Sequence, residues 1–232
     1  MDAVILLSGG LDSATAAAVA KAQGHVLHAL TVDYGQRHAR EIEAARAVGR
    51  WLGAKDHKLV SVDLRAIGGS ALTDDIPVPK GRGAAEMARG IPATYVPARN
   101  TILLALGLAC CEAVGGGAVY IGVNALDYSG YPDCRPEFIE AFRRVAETGT
   151  KAGAQGRRIS IEAPLLRMTK AEIILKGVSL GLDYSLTFSC YDPVPGGLAC
   201  GRCDACMLRL KGFREAGMED PAAYAPGARL PS

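Results

Sequence analysis

The chain has no dense run of lysine or arginine. Over 232 residues, 26 basic side chains face 24 acidic ones, a net of +2. A dedicated nucleic-acid binder usually shows a basic stripe, so direct nucleic-acid contact is not expected; a small anionic ligand needs only a local positive site. Long apolar runs are missing too. Residues 102–109 fall far short of a membrane span. Residues 3–7 are too short for a secretory signal and follow an acid where such a signal carries bases. The expectation is a cytoplasmic protein that does not engage a membrane. There is no internal repeat, no low-complexity block, and no convincing Ser–His or Cys–His pair for covalent catalysis.

What is present suits one large α/β domain with a small appendage. Half of the residues are hydrophobic, enough for a sizeable core. Val4-Ile5-Leu6-Leu7 reads as a buried parallel strand, 13–23 as an Ala-rich helix closed by Gly24, and 26–32 as a second strand. A charged helix over 37–52 and a third strand over 58–62 follow. This alternation predicts an open parallel sheet with helices on both faces. Residues 68–97, rich in Pro and Gly, read as a long loop with one short helix near 84–89, functional or mobile. A helix over 99–114, a strand over 118–123, a loop over 124–136, a helix over 137–148 and a strand over 159–162 come next. Thr169 and Glu172 make a capping box for a helix running to about 180. Beyond 188 lie a cysteine-dense loop, a helix over 205–215 and a weakly ordered tail from 221. The division is a nucleotide-binding unit over 1–186, containing a substrate loop at 124–137, and a zinc-binding segment over 187–232.

Strand, then Ser8-Gly9-Gly10-Leu11-Asp12-Ser13, then helix, is a phosphate-binding order. A helix N-terminus offers unpaired N–H groups and the positive end of its dipole. Glycines allow close backbone approach and positive φ, and the two serines add hydroxyl donors. The loop stands at the carboxyl end of the first strand, where open parallel sheets bind ligands. It lacks the lysine of the mononucleotide P-loop and is not Gly-x-Gly-x-x-Gly. Leu7 through Ser13, with Thr15 and Arg99, are the candidate nucleotide contacts. Ser8, Asp12, Ser13 and Lys170 are the candidate catalytic side chains, Asp12 positioning the loop or holding Mg²⁺.

Seven cysteines in a cytosolic chain point to metal or free thiols rather than disulfides. Cys190, Cys200, Cys203 and Cys206 have the close spacing of a closed tetrahedral zinc site; an iron–sulfur cluster is the rival. Cys110 and Cys111 read as helix packing residues. On the same carboxyl-end rim as the phosphate loop, Asp127, Tyr128, Ser129, Tyr131, Asp133 and Arg135 are candidate substrate contacts, with Asn100. Carboxylates accept from the N–H groups of a guanine-like ring, tyrosines stack on its face, and Arg135 suits a bidentate fork on a carboxylate. His38 and Cys134 are left without a role.

The phosphate loop resembles that of the adenine-nucleotide α-hydrolases, or N-type ATP pyrophosphatases, whose loop holds the outer two phosphates while the bond between the first two is cleaved. Taken with Asp33 to His38, Val96 to Asn100, Asp127 to Phe138, Thr169 to Glu172 and Thr187 to Cys206, the chain resembles the 7-cyano-7-deazaguanine synthase family of queuosine precursor synthesis. Ala98 stands where relatives often have Gly. The resemblance implies a Rossmann-like adenine nucleotide α-hydrolase fold, ATP and Mg²⁺, a structural Zn²⁺, and a homodimer. It also implies the reaction of 7-carboxy-7-deazaguanine and ammonia to the nitrile through adenylated acid and amide. A sulfur-inserting tRNA enzyme with the same loop is the alternative.

Overall fold

The computed structural model describes residues 1–36, 40–87, 89–126 and 130–228. His38, Asp127, Tyr128 and Ser129 lie outside the described residues. β1 (Asp2–Leu6) is buried on both faces, because it forms the centre of a five-stranded parallel sheet. Its neighbours are β2 (Val26–Asp33) and β4 (Ala118–Tyr120); β3 (Asp56–Ser61) and β5 (Ser160–Glu162) are the edges, giving the order β3-β2-β1-β4-β5. Registers such as Val4 opposite both His28 and Val119 lock the centre.

Two apolar layers follow from the period of two along β1. Val4 and Leu6 face one cluster with Leu104 and Leu108 of α4 (Arg99–Val114) and Ile139 and Phe142 of α5 (Pro136–Thr148). Ala3, Ile5 and Leu7 face the other. It holds α1 (Leu11–Ala22), the Val48 and Leu52 face of α2 (Arg40–Leu52), Ile173 and Ile174 of α7 (Lys170–Ser179), and Phe213 of α8 (Asp204–Glu215). Two single-turn helices, α3 (Ala84–Met87) and α6 (Lys151–Ala154), complete the set. The expected sheet with helices on both faces is therefore present. The sheet switches direction of winding between β1 and β4, and crevices at such points bind ligands in open α/β folds.

Three expectations change. The strand expected over 118–123 pairs only through Tyr120 as a ladder, because Gly122 must slide under the start of α1. A Cβ there would lie 2.7 Å from Asp12 C and Ser13 N. The segment 68–97 is anchored rather than free. Ser70, Ala71, Leu72, Val78, Thr94 and Val96 are buried in it. Lys80 bridges Cys203, and Arg82 forms an ion pair with the buried Asp204. The tail from 221 is also held through 225: Ala199 N donates to Ala223 O, Ala225 N donates to Ala199 O, and Tyr224 donates to Asp220. That Asp220 receives the buried Arg209 fork at 2.9–3.1 Å. Among the described residues, no helix is long and apolar enough to cross a membrane.

Candidate active site

The 8–13 loop is shaped by its own serines. Ser8 Oγ donates to Ser13 Oγ at 3.0 Å, Ser13 Oγ donates to Gly10 O at 3.0 Å, and Gly10 N donates to Ser8 Oγ at 3.3 Å. Both glycines were expected to offer positive φ, but only Gly9 adopts it, at +85°; Gly10 is extended, the N-cap of α1. Gly9 is required for a second reason: a Cβ would fall 2.3 Å from Glu41 O and 2.5 Å from Ala45 N. The loop is thus wedged against the first turn of α2. From the other side the cysteine segment grips it, with Phe188 N donating to Gly9 O at 2.9 Å and Leu11 N to Ser189 Oγ at 3.2 Å.

Asp12 accepts from Lys170 Nζ at 2.7 and 2.9 Å. Lys170, placed by the Thr169–Glu172 capping box that the sequence announced, is buried. Its ammonium points at α1 rather than at solvent. Breaking such a buried pair costs about 3–5 kcal/mol, so this contact ties α7 to the loop.

A cleft of about 200 Å³ opens above the loop at the sheet's switch point, where open α/β folds bind their ligands. Leu7, Ser8, Gly10, Leu11, Asp12 and Ser13 form its floor, and Tyr34, Glu41, Arg99, Asn100, Tyr131 and Tyr191 rise around it. Arg99 lies 5.7 Å from the Tyr34 ring centroid. Its Nε is buried and has no hydrogen-bond partner among the described residues. A buried unpaired donor is costly, so this guanidinium is poised for an anion. Burial works against its charge, yet the Tyr34, Tyr131, Tyr191 and Cys134 groups hold its pKa above the ordinary value. Burial raises Tyr34 to about 12, and Glu41 to about 7 against the pull of Arg99.

The start of α4 carries a device the sequence concealed. Asn100, a candidate substrate contact, lines the pocket but is tied within the protein, and the helix is capped from outside: Asn100 N donates to Asp133 Oδ2 at 3.0 Å, and Asn100 Nδ2 to Asp133 O at 3.0 Å. Asp133, expected to face substrate, is therefore occupied within the protein. Tyr131 lines the pocket and shares a 2.7 Å hydrogen bond with Thr94. Cys134 also lines it, with its thiol pushed up to about 12 by burial and by Asp133.

Two expected contacts stand elsewhere. Thr15 is buried in the core, its hydroxyl donating to Leu11 O at 2.9 Å and paired with Tyr184 OH at 2.7 Å; one helical turn beyond Leu11 it faces inward. Arg135 is exposed at the N-cap of α5, outside the pocket lining. Among the described residues, the pocket's arginine is Arg99. Glu41, Tyr34, Ser189 and Tyr191 were not singled out. The available signal was position: Glu41 is in the first turn after the carboxyl end of β2, so it belongs to the same rim.

Cys190, Cys200, Cys203 and Cys206 are all buried, with every sulfur within 4.8 Å of the others. Gly201 turns the chain at φ +69°, and Cys200 N and Cys203 N donate to the sulfurs of Cys190 and Cys200 at 3.3 Å. Four sulfurs so placed fit one metal ion; zinc–thiolate bonds of about 2.3 Å in a tetrahedron put sulfurs about 3.8 Å apart. Ser189 and Tyr191, on either side of Cys190, both reach the pocket. The cysteine segment is therefore also a wall of the site.

Comparison with known proteins gives one consistent set of relatives. The family model described as "Queuosine biosynthesis protein QueC" matches residues 2–217. A 7-cyano-7-deazaguanine synthase from Desulfatibacillum aliphaticivorans is 59% identical over 225 residues, 97% of each chain. One from Anaeromyxobacter sp. (strain Fw109-5) is 62% identical over 96% of this chain and 95% of that one. Among solved structures, a 4-thiouridine synthetase in complex with RNA and bound ATP superposes with a TM-score of 0.52 at 21% identity. That match covers 80% of this chain and 42% of the other, and it is a likeness of fold.

Proposed function

The chain belongs to the queuosine biosynthesis protein QueC family, and on that premise we propose that it converts 7-carboxy-7-deazaguanine and ammonia to 7-cyano-7-deazaguanine with consumption of ATP. The observation that carries the reading is the meeting, in one pocket, of the 8–13 loop and the Arg99 guanidinium with its unpaired Nε. One end suits a polyphosphate and the other a second anion.

The chemistry explains why both are needed. A carboxylate repels nucleophiles, so one of its oxygens must become a leaving group. The substrate carboxylate attacks the first phosphorus of ATP, and pyrophosphate departs. Ammonia displaces AMP to give the amide. The amide oxygen is adenylated in turn, and loss of the second AMP leaves the nitrile. Loop N–H groups and the hydroxyls of Ser8 and Ser13 hold the outer phosphates. Lys170, through Asp12, fixes the first turn of α1 beneath them. Arg99 steadies the carboxylate and the charge that builds on phosphorus, while Tyr131 and Tyr34 supply faces for the ring. The protein's contribution is alignment, in keeping with the lack of a nucleophilic side chain.

Mg²⁺ supplies charge neutralisation on the phosphates. Asp12, a hard oxygen donor facing the pocket, retains acceptor capacity beyond its two bonds to Lys170. Zn²⁺ is assigned to the four-cysteine cluster as a structural ion. Residues 187–232 then act as the zinc-bearing segment that completes a site built on 1–186. The enzyme works as a cytoplasmic homodimer on small molecules, without direct nucleic-acid contact.

A sulfur-inserting tRNA enzyme would deliver sulfur from a catalytic thiol or an iron–sulfur cluster. The pocket's cysteine, Cys134, is buried and held protonated to about 12. The deciding experiment incubates the pure protein with ATP, Mg²⁺, ammonium and 7-carboxy-7-deazaguanine, following AMP, pyrophosphate and product mass. The nitrile is expected; absence of both amide and nitrile rejects the reading. The protein should be colourless with about one zinc per chain, whereas a brown protein favours the sulfur-inserting rival.

A further inference from the structure

Ammonia in neutral water is almost wholly ammonium, which has no lone pair with which to attack a carbonyl. An enzyme using it must admit a cation and then remove a proton. The reaction proposed above leaves that task unassigned. Asp12 faces Lys170, Cys134 is a buried thiol, and Asp133 caps α4.

Among the described residues, Glu41 is the remaining carboxylate in the pocket lining. It sits in the first turn of α2, and its backbone oxygen lies 2.3 Å from where a Cβ of Gly9 would stand, so its place on the helix is fixed relative to the phosphate loop. The charged neighbours on its own helix, Arg40 and Glu43, pair with each other at 3.2 Å on the exposed side. Facing the pocket from the other elements are Tyr34, Asp12, Arg99, Tyr131, Cys134 and Tyr191. Tyrosine faces attract cations, and a carboxylate among them completes an ammonium-binding environment. Arg99 serves the anion.

Resting on the function proposed above, we propose that Glu41 is the proton acceptor that converts bound ammonium to the attacking ammonia, within a site walled by Tyr34, Tyr131 and Tyr191. Ammonium gives one proton to the Glu41 carboxylate. The freed lone pair forms the C–N bond as the bond from carbon to the AMP oxygen breaks. The proton then shed by the attacking nitrogen leaves on the AMP phosphate, and Glu41 returns its proton to water. Burial places this carboxyl at about 7, where a general base works best near neutral pH.

The test separates nucleophiles by charge. Hydroxylamine is largely uncharged at neutral pH and needs no base to free its lone pair. In Glu41→Gln, kcat/KM for ammonium near neutral pH should fall about 10²–10⁴-fold and recover roughly tenfold per pH unit as free ammonia rises. Hydroxamate formation and carboxylate-dependent exchange of pyrophosphate into ATP should persist. Glu41→Asp should regain part of the ammonium reaction. Full ammonium use by Glu41→Gln at neutral pH overturns the proposal, as does joint loss of ammonium, hydroxylamine and exchange activity in that variant, or equal loss in the Asp and Gln variants. If the wild-type protein itself shows neither exchange nor hydroxamate, the proposed function fails instead.

Folding gives an independent readout. The folded protein keeps the Glu41 proton up to about pH 7, while the unfolded chain loses it near its ordinary value. Stability from this group is therefore lost as pH rises through that window. Glu41→Gln should melt higher than wild type at about pH 8, and the difference should shrink through about pH 5 and vanish below about pH 4.

Discussion

Both rims of the sheet carry charge, and they use it in opposite ways. At the amino rim, His28 is buried with Nε2 2.8 Å from Asp2 and Nδ1 3.0 Å from Asp56, and Lys55 and Lys58 close the set from outside. These groups address one another across β1, β2 and β3. The hydrogen bond from His28 holds the Asp2 carboxyl below its usual range. At the carboxyl rim, Arg99 keeps a buried Nε without a partner among the described residues, and burial lifts Glu41 toward neutrality. One rim spends its charge on joining strands; the other leaves it strained toward a pocket. Unsatisfied chemistry at a switch point is what marks the site.

The sharpest way to break this contrast is Asp12→Ala. It removes a pocket group and one side of the Lys170 pair together. AMP formation should fall by about 10²–10³-fold or more, and stability by about 3–5 kcal/mol; quenched-flow assay and denaturant melts check the two. Cys203→Ser comes next. It should release the metal, loosen Ser189 and Tyr191, and lower affinity for nucleotide through the wall rather than the floor. Metal analysis with nucleotide titration reads both effects. On the opposite rim, His28→Ala should cost about 1–3 kcal/mol from the two unmade hydrogen bonds, with kcat and KM unchanged. A loss of activity without a loss of stability there would erase the distinction between the rims.

The same contrast explains what was legible in the sequence. Local chemistry was: the 8–13 loop, the Thr169–Glu172 box and the cysteine quartet each announce themselves by short spacing, and each brings its residues together, with Gly10 extended where positive φ was expected. Contacts between distant segments were not. Nothing near Thr15 tells that Tyr184, 169 residues on, will claim its hydroxyl. Nothing in the 221–228 stretch foretells Asp220 meeting Arg209, or Tyr224 joining them. Arg135 was expected on the substrate carboxylate and Arg99 on the nucleotide; which one enters the pocket depends on where α4 and α5 begin. Glu41 passed for one more charge on an amphipathic helix, because only the folded rim brings it over Gly9.

The smallest predicted effect tests how finely the active rim is set. Ala98 is the one described non-glycine residue at positive φ, +54°, and it immediately precedes Arg99. The left-handed conformation costs an L-residue with a Cβ about 1–2 kcal/mol. Glycine removes that cost but gives the unfolded chain more freedom to lose. Ala98→Gly should therefore gain about 0.5–1 kcal/mol, a rise of about 1–4 °C in melting temperature for a chain of this size. The conformation is already imposed from both sides, by Ala98 N donating to Tyr95 OH at 3.1 Å and by Asp133 holding Asn100 N. Arg99 should keep its place, and the rate of AMP formation should not move. A more stable but slower enzyme would mean that the strain at Ala98 helps aim Arg99 at its anion, and that this rim stores tension in backbone as well as in charge.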